Sequence, residues 1–167
     1  MDKNIEILKK QEDLLQFPHF NHSTAYELGT FMVSCAQKQN ITIAISIRMN
    51  NGCIAFQYCP DGTNLLNQKW MERKFNTVSM MERSSLLSAL TFEQDHDTLE
   101  NHGLSATDYA LCGGGFPIRI KGNSVVIGII IASNLYHIAD HKFIINCLKD
   151  FLQCPEAPNF PYTFPDK

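Results

Sequence analysis

The stretch from Ile41 to Cys59 limits what this chain can become. Ile41, Ile43, Ile45, Ile47 and Met49 alternate with Thr42, Ala44, Ser46 and Arg48. A period of two puts one set on each face of a β-strand. Asn51-Gly52 then supplies the dipeptide favoured in a type I′ hairpin turn. A two-residue loop sets Met49 against Ile54, Ile47 against Phe56 and Ile45 against Tyr58, all apolar. The opposite face carries Arg48/Ala55, Ser46/Gln57 and Ala44/Cys59. A one-residue slip would turn every side chain over, so this agreement predicts a hairpin packed on a core by its apolar face. The small polar face suits close approach by a helix or a second subunit.

A second hairpin is expected from Phe116 to Lys121, through Gly122-Asn123, into Ser124 to Ser133. It pairs Ile120 with Val125, Ile118 with Ile127 and Phe116 with Ile129. Residues 125–132 are apolar on both faces, as in a central strand, and Pro117 belongs at an edge or bulge because it cannot donate to a ladder. Helical spacing marks Ile5 to Phe17, stopped by Pro18. A second helix starts near Thr24, where Thr24 and Glu27 have capping-box spacing, and Leu28, Met32 and Cys35 form its stripe. A third covers about Leu65 to Met81, with Leu66, Trp70, Thr77 and Met81 as apolar positions. Ser84 to Phe92 and Ile138 to Leu152 read as helices too, the last with Ile144, Leu148, Phe151 and Leu152 inward. Residues 93–108 form a polar loop with a helical turn. The Pro-rich tail, 155–167, carries Phe160, Tyr162 and Phe164, rings suited to docking on a neighbouring subunit. Two helices, a hairpin, helices, a hairpin and a helix make an α+β fold: a mainly antiparallel sheet with helices on its faces. The length of 167 residues fits a single domain, 1–167.

Charged residues make up 19% of the chain, against about 25% in ordinary domains. Asn and Gln fill the gap, so the surface repels copies of itself weakly and a homo-oligomer, dimer or larger, is expected. A net charge of -3 with scattered Lys and Arg excludes a nucleic-acid binder. The longest apolar run, Val125 to Ala132, is far short of the ~20 residues of a membrane span. Met1 to Lys10 lacks a signal-peptide core, which points to the cytoplasm. Six cysteines without a Cys-x-x-Cys spacing read as free thiols.

Five phrases, in order, carry a family resemblance: FNHSTAYELG (20–29), GTNLLNQKWMERK (62–74), Ser84-Ser85, YALCGGGFPI (109–118) and SNLYHIADH (133–141). Together they resemble the haem-degrading-domain superfamily, the GlcG/HbpS-like proteins, in a branch of small proteins. Leu66 departs from an Asp and Asn134 from a Gly of that pattern. The resemblance implies a profilin-like α/β/α layered fold and homo-oligomers often built from dimers. It also implies haem as a ligand of some relatives, whereas others have no assigned activity.

Within these phrases, Trp70, Arg73 and Lys74 share a helix, and Asn67 lies one turn earlier. Arg73 or Lys74 could clamp a carboxylate or a haem propionate, or form an intersubunit salt bridge. Gly113, Gly114 and Gly115 offer either an anion cradle of amides or a bend packed closely on its neighbours. Arg119, among apolar residues, needs a partner: Asp140 or a ligand acid. His137 and His141, i and i+4 around Asp140, have metal-ligand spacing. No third ligand accompanies them, so the favoured reading is that Asp140 caps the last helix and His141 bonds a neighbouring chain. Cys59-Pro60 and Cys154-Pro155 match a dipeptide of some haem-responsive proteins. Three functions fit: an oligomeric binder of a small ligand such as haem, an adaptor without chemistry, or an enzyme on haem or another metabolite. An open cleft around Arg73, Arg119 and His141 favours the first or third; burial across an interface favours the second.

Overall fold

The computed structural model describes residues 2–162. The chain runs α1 (Lys3–Leu14), α2 (His22–Lys38), β1 (Ala44–Met49), β2 (Ile54–Tyr58), α3 (Leu65–Met81), α4 (Ser85–Gln94), a 3-10 turn (Glu100–His102), β3 (Gly115–Ile118), β4 (Gly128–Ser133) and α5 (His137–Phe151). The sheet has the order β2-β1-β4-β3, every neighbouring pair antiparallel. This is the α+β arrangement expected from the order of elements.

Strand alternation sorts the core into two layers. Ile45, Ile47, Phe116, Ile118, Ile130 and Ala132 face α2 and α5, meeting Leu28, Met32, Ile144 and Leu148. Ala44, Ile129 and Ile131 face α3, meeting Met71 and Val78. A third cluster joins α1 and α4 through Ile5, Leu8, Leu86 and Leu87, with Phe160 of the tail. The tail aromatics within the described residues thus dock on their own chain: Phe160 is buried there and Tyr162 packs beside it. Phe164 lies outside the described residues.

Both hairpins differ from their expected registers. In the first, Ile47 opposes Phe56 as expected, but Arg48 opposes Ile54 and the ladder shifts between Ile47 and Arg48. Only Gly52 of the turn has a positive φ, 92°, whereas type I′ needs two such residues. The Met49 amide donates to the Cys53 carbonyl and Gly52 to Met49, closing a longer loop. Ala55 is then the extra residue of a bulge that restores the register. In the second hairpin, Phe116 opposes Ile130 and Ile118 opposes Gly128, one residue from expectation. Ile120 bridges Phe17 instead of Val125, and Val125 is 54% exposed. That competing partner from the α1–α2 connection places Phe116 on the α2/α5 face with Ile130. Pro117 does sit on an edge strand.

Smaller corrections concern helix ends and faces. Asn21, not Thr24, caps α2, in a capping box with Thr24. On α3 the buried positions are Met71, Lys74, Thr77 and Val78, while Leu66 is 64% exposed. The small polar face of the first hairpin meets α3 of the same chain over Ala44 and Ser46, both fully buried. No helix among the described residues is long and apolar enough to cross a membrane.

Candidate functional site

A cleft of about 390 Å³ opens between α3 and the start of α5, over the end of β4. Its chemistry comes from Asn67, Trp70, Lys74, Cys112, His137 and Asp140. Asn67, Trp70 and Lys74 lie at i, i+3 and i+7 on one face of α3. Asn67 also closes the capping box of that helix, its side-chain oxygen accepting from the Asn64 amide at 2.9 Å. The helix start therefore fixes one wall of the cleft.

Lys74 and Asp140 form the floor. The Lys74 ammonium donates to Asp140 Oδ2 at 2.9 Å and to the Ala132 carbonyl at 2.8 Å. The two side chains are 3% and 2% exposed. Asp140 Oδ1 accepts from the Leu135 amide at 2.9 Å. Burial pushes the Asp140 carboxyl up to about 6, against the pull of Lys74. The carboxylate thus ties the β4–α5 connection to α3. It does not cap α5, whose N-cap is Tyr136 without a side-chain bond.

The glycine run packs behind this pair. Gly114 has φ 115°, and a Cβ there would lie 2.5 Å from both the Ala132 oxygen and Lys74 Nζ. Gly113 donates its amide to His137 Nδ1 at 3.0 Å, and Gly115 donates to Ser85 Oγ at 2.9 Å. With the Gly113 and Gly115 amides engaged and no room for a Cβ at Gly114, the run packs closely on its neighbours. Burial and the nearby Lys74 charge lower the His137 pKa, keeping its imidazole neutral. Burial raises the Cys112 thiol.

A scan against family models matches residues 20–149 to "Haem degrading protein HbpS-like". The chain belongs to that HbpS-like family. It is 36% identical over 156 residues to UPF0303 protein YE1367 of Yersinia enterocolitica, covering 93% of this chain and 92% of that protein. Among solved structures, it resembles Ybr137w with a TM-score of 0.83 at 23% identity, over 92% of this chain and 90% of that one. It also resembles the PduOC:heme complex with a TM-score of 0.63 at 16% identity, over 77% and 92%. These two likenesses are of fold.

Of the residues singled out in the sequence of this HbpS-like chain, Asn67, Trp70, Lys74 and Asp140 meet in the cleft, with Gly113 and Gly114 behind it. Arg73 lies alongside, its guanidinium 4.2 Å over the Trp70 ring and donating to the Tyr109 carbonyl at 3.4 Å. Arg119 and His141 lie elsewhere. Arg119 donates to Glu12 Oε2 at 3.1 Å and to the Glu82 carbonyl, so its partner is neither Asp140 nor a ligand acid. His141 is fully buried and its Nε2 bonds Gln11 Oε1 of the same chain at 2.8 Å. His141 is enclosed within the chain, whereas Arg119 borders a separate open hollow with Lys9, Glu12 and Ser124; through Gln11 and Glu12 the two fasten α1 to α5 and to the end of β3. Sequence reasoning missed Cys112, and it weighed His137 only as a metal ligand. The Gly-rich phrase adjoining Cys112 was the available signal. Among the described residues no group of three or more His, Cys, Asp or Glu is placed to hold a metal ion. Cys59 is half-buried and Cys154 buried, both outside the cleft lining.

Proposed function

We propose that this chain is a homo-oligomeric binding protein whose small ligand sits in the cleft between α3 and α5. The observation that carries this reading is the cleft floor. A buried ion pair is commonly no more stabilising than apolar packing of the same volume. Its place beneath an open space, beside the chain's one tryptophan, suits recognition better than scaffolding. The cleft volume falls at the small end of organic-ligand sites, about 300–1,000 Å³. Oligomer formation is supported by the weakly charged surface and by edge strand β2, where Ile54 is 50% and Tyr58 41% exposed. Free thiols on all six cysteines suit a reducing compartment such as the cytoplasm.

Haem is the ligand suggested by the family's name and by the PduOC:heme structure. His137 and Cys112 are the side chains of the cleft of the kinds that ordinarily hold haem iron, and neither is poised to do so. His137 Nδ1 accepts the Gly113 proton, so the neutral ring carries its own proton on Nε2 and donates there. Burial raises the Cys112 thiol, so that binding iron as the thiolate would work against its surroundings. His141, fully buried, does not line the cleft.

Native mass spectrometry of the purified protein tests the proposal. A dimer or larger carrying one small molecule per chain, lost in Trp70→Ala, is the expected result. A bare monomer at micromolar concentration, unshifted in melting temperature by organic acids, amides or haem, overturns it. Added haem should show no Soret shift that His137→Ala or Cys112→Ser removes.

A further inference from the structure

Hydrogen-bond accounting in the cleft is lopsided. Its carboxyl, amide and imidazole acceptors each take a donor from the protein, and the Ser133 hydroxyl of the lining can accept as well as donate. Asp140 accepts from Lys74 and Leu135, Asn67 Oδ1 from the Asn64 amide, and Asn134 Oδ1 from Asn67 at 3.2 Å. His137 Nδ1 and the Ala132 carbonyl are also taken. Donors are left over. An ammonium has three N–H bonds, and Lys74 uses two of them. A neutral imidazole that accepts at Nδ1 presents Nε2–H. Asn67 has a second amide proton beyond the one given to Asn134. Around these donors stand the Trp70 ring and the side chains of Leu66 and Leu135.

We infer that the ligand of this cleft is a monocarboxylate on a flat, largely apolar body. The inference rests on the cleft being the binding site. Surplus donors favour an acceptor-rich group, because the side-chain acceptors of the cleft, the Ser133 hydroxyl excepted, already take a donor, while buried donors left unpaired are costly. Charge selects the carboxylate over a phosphate. Lys74 is already balanced by Asp140, and among the described residues the further cation beside the cleft is Arg73, over the Trp70 ring. A phosphate dianion is ordinarily met by several cationic donors. The wall of Trp70, Leu66 and Leu135 suits a ring that stacks on an indole and stays out of water.

The single tryptophan makes the test direct. Benzoate, 1-naphthoate, their primary amides and phenylphosphonate are titrated against the full-length protein while Trp70 emission is followed. The acids should give saturable changes, with dissociation constants at least tenfold below those of the amides. His137→Phe keeps the ring and removes one donor, and should weaken the acids several-fold while sparing the amides. Lys74→Met should abolish the preference for acids; if it fails to fold, the acid-to-amide ratio and His137→Phe decide alone. Amides binding as well as acids, or phenylphosphonate binding more tightly than benzoate, overturns the carboxylate and leaves the cleft standing. Silence of Trp70 to every probe, haem included, removes the cleft itself.

Discussion

At Asn134 the backbone takes φ 146°, a conformation that favours glycine and costs another residue about 1–3 kcal/mol. The resemblance places Gly at this position. Here the side chain holds the connection in place, donating to the Thr42 carbonyl at 2.9 Å and accepting from Asn67 at 3.2 Å. Each such bond is worth about 0.5–1.5 kcal/mol net. Asn134→Gly relieves strain and loses both bonds, so its stability should stay within about 1 kcal/mol of the parent. Asn134→Ala keeps the strain and loses the bonds, and should fall about 1–3 kcal/mol below it. Urea unfolding of the pair checks the order; an alanine variant as stable as the glycine variant would refute the strain. Asp140 shows what a sequence phrase conceals. The sequence pattern makes it the cap of the last helix; it lies one turn into α5 instead, accepting locally from the Leu135 amide and, 66 residues away in the chain, from Lys74.

Among the elements, the sheet registers show where local patterning stops deciding. Ile43, Ile45 and Ile47 are buried as the alternation requires, because pleating alone assigns their face. The ladder near Gly52 follows instead from one positive φ and the bulge at Ala55. The β3–β4 register follows from Phe17, which occupies the edge of Ile120. Helix α2 meets the first hairpin at Gly29, where a Cβ would overlap the Phe56 ring. Gly29→Ala should therefore destabilise the protein by about 1–3 kcal/mol through overpacking, despite the better helix propensity of Ala. Thermal melting of this variant beside Gly29→Ala/Phe56→Leu is the check. The smaller partner should restore part of the loss, and no recovery would mean that the helix does not press on that ring.

For the whole molecule, two neighbours on α5 set opposite responses to acid. Burial holds the His141 pKa down to about 3 from an ordinary 6.5, with His137 adding to the effect. Between those values the unfolded chain binds the proton and the folded one does not. Stability from His141 is therefore present above about pH 6.5 and lost as pH falls, up to about 5 kcal/mol. Asp140, raised from 3.8 to about 6, works the other way. The folded chain takes its proton first, so this contribution is present below about pH 4 and lost as pH rises through about 6, roughly 3 kcal/mol in all. Near pH 5 the two nearly cancel. Denaturation between pH 4 and 6.5 should show stability falling more steeply with acid in Asp140→Asn than in the parent, and rising relative to the parent in His141→Gln. Parallel slopes in all three proteins would exclude this origin.

How much was legible follows from the range of each interaction. The sequence by itself determined the elements and the family. Alternation, Pro stops and helix spacing depend on neighbours a few residues apart, and the five phrases lie in order along the chain. It also placed Asn67, Trp70 and Lys74 on one helical face, since 3.6 residues per turn is a local property. Only the tertiary structure decided which of the marked residues share a cleft. Arg119 finds Glu12 on α1, and His141 finds Gln11, while Lys74 finds Asp140 on α5. Each choice depends on which elements pack against which, and therefore on burial that no short window contains. Ala44 and Ser46 of the polar hairpin face, and Phe160 and Tyr162 of the tail, expected between subunits, pack against α3 and against α1 with α4 of the same chain. The physical reason is that apolar and small surfaces state only that they must be covered; the topology of the chain states by what.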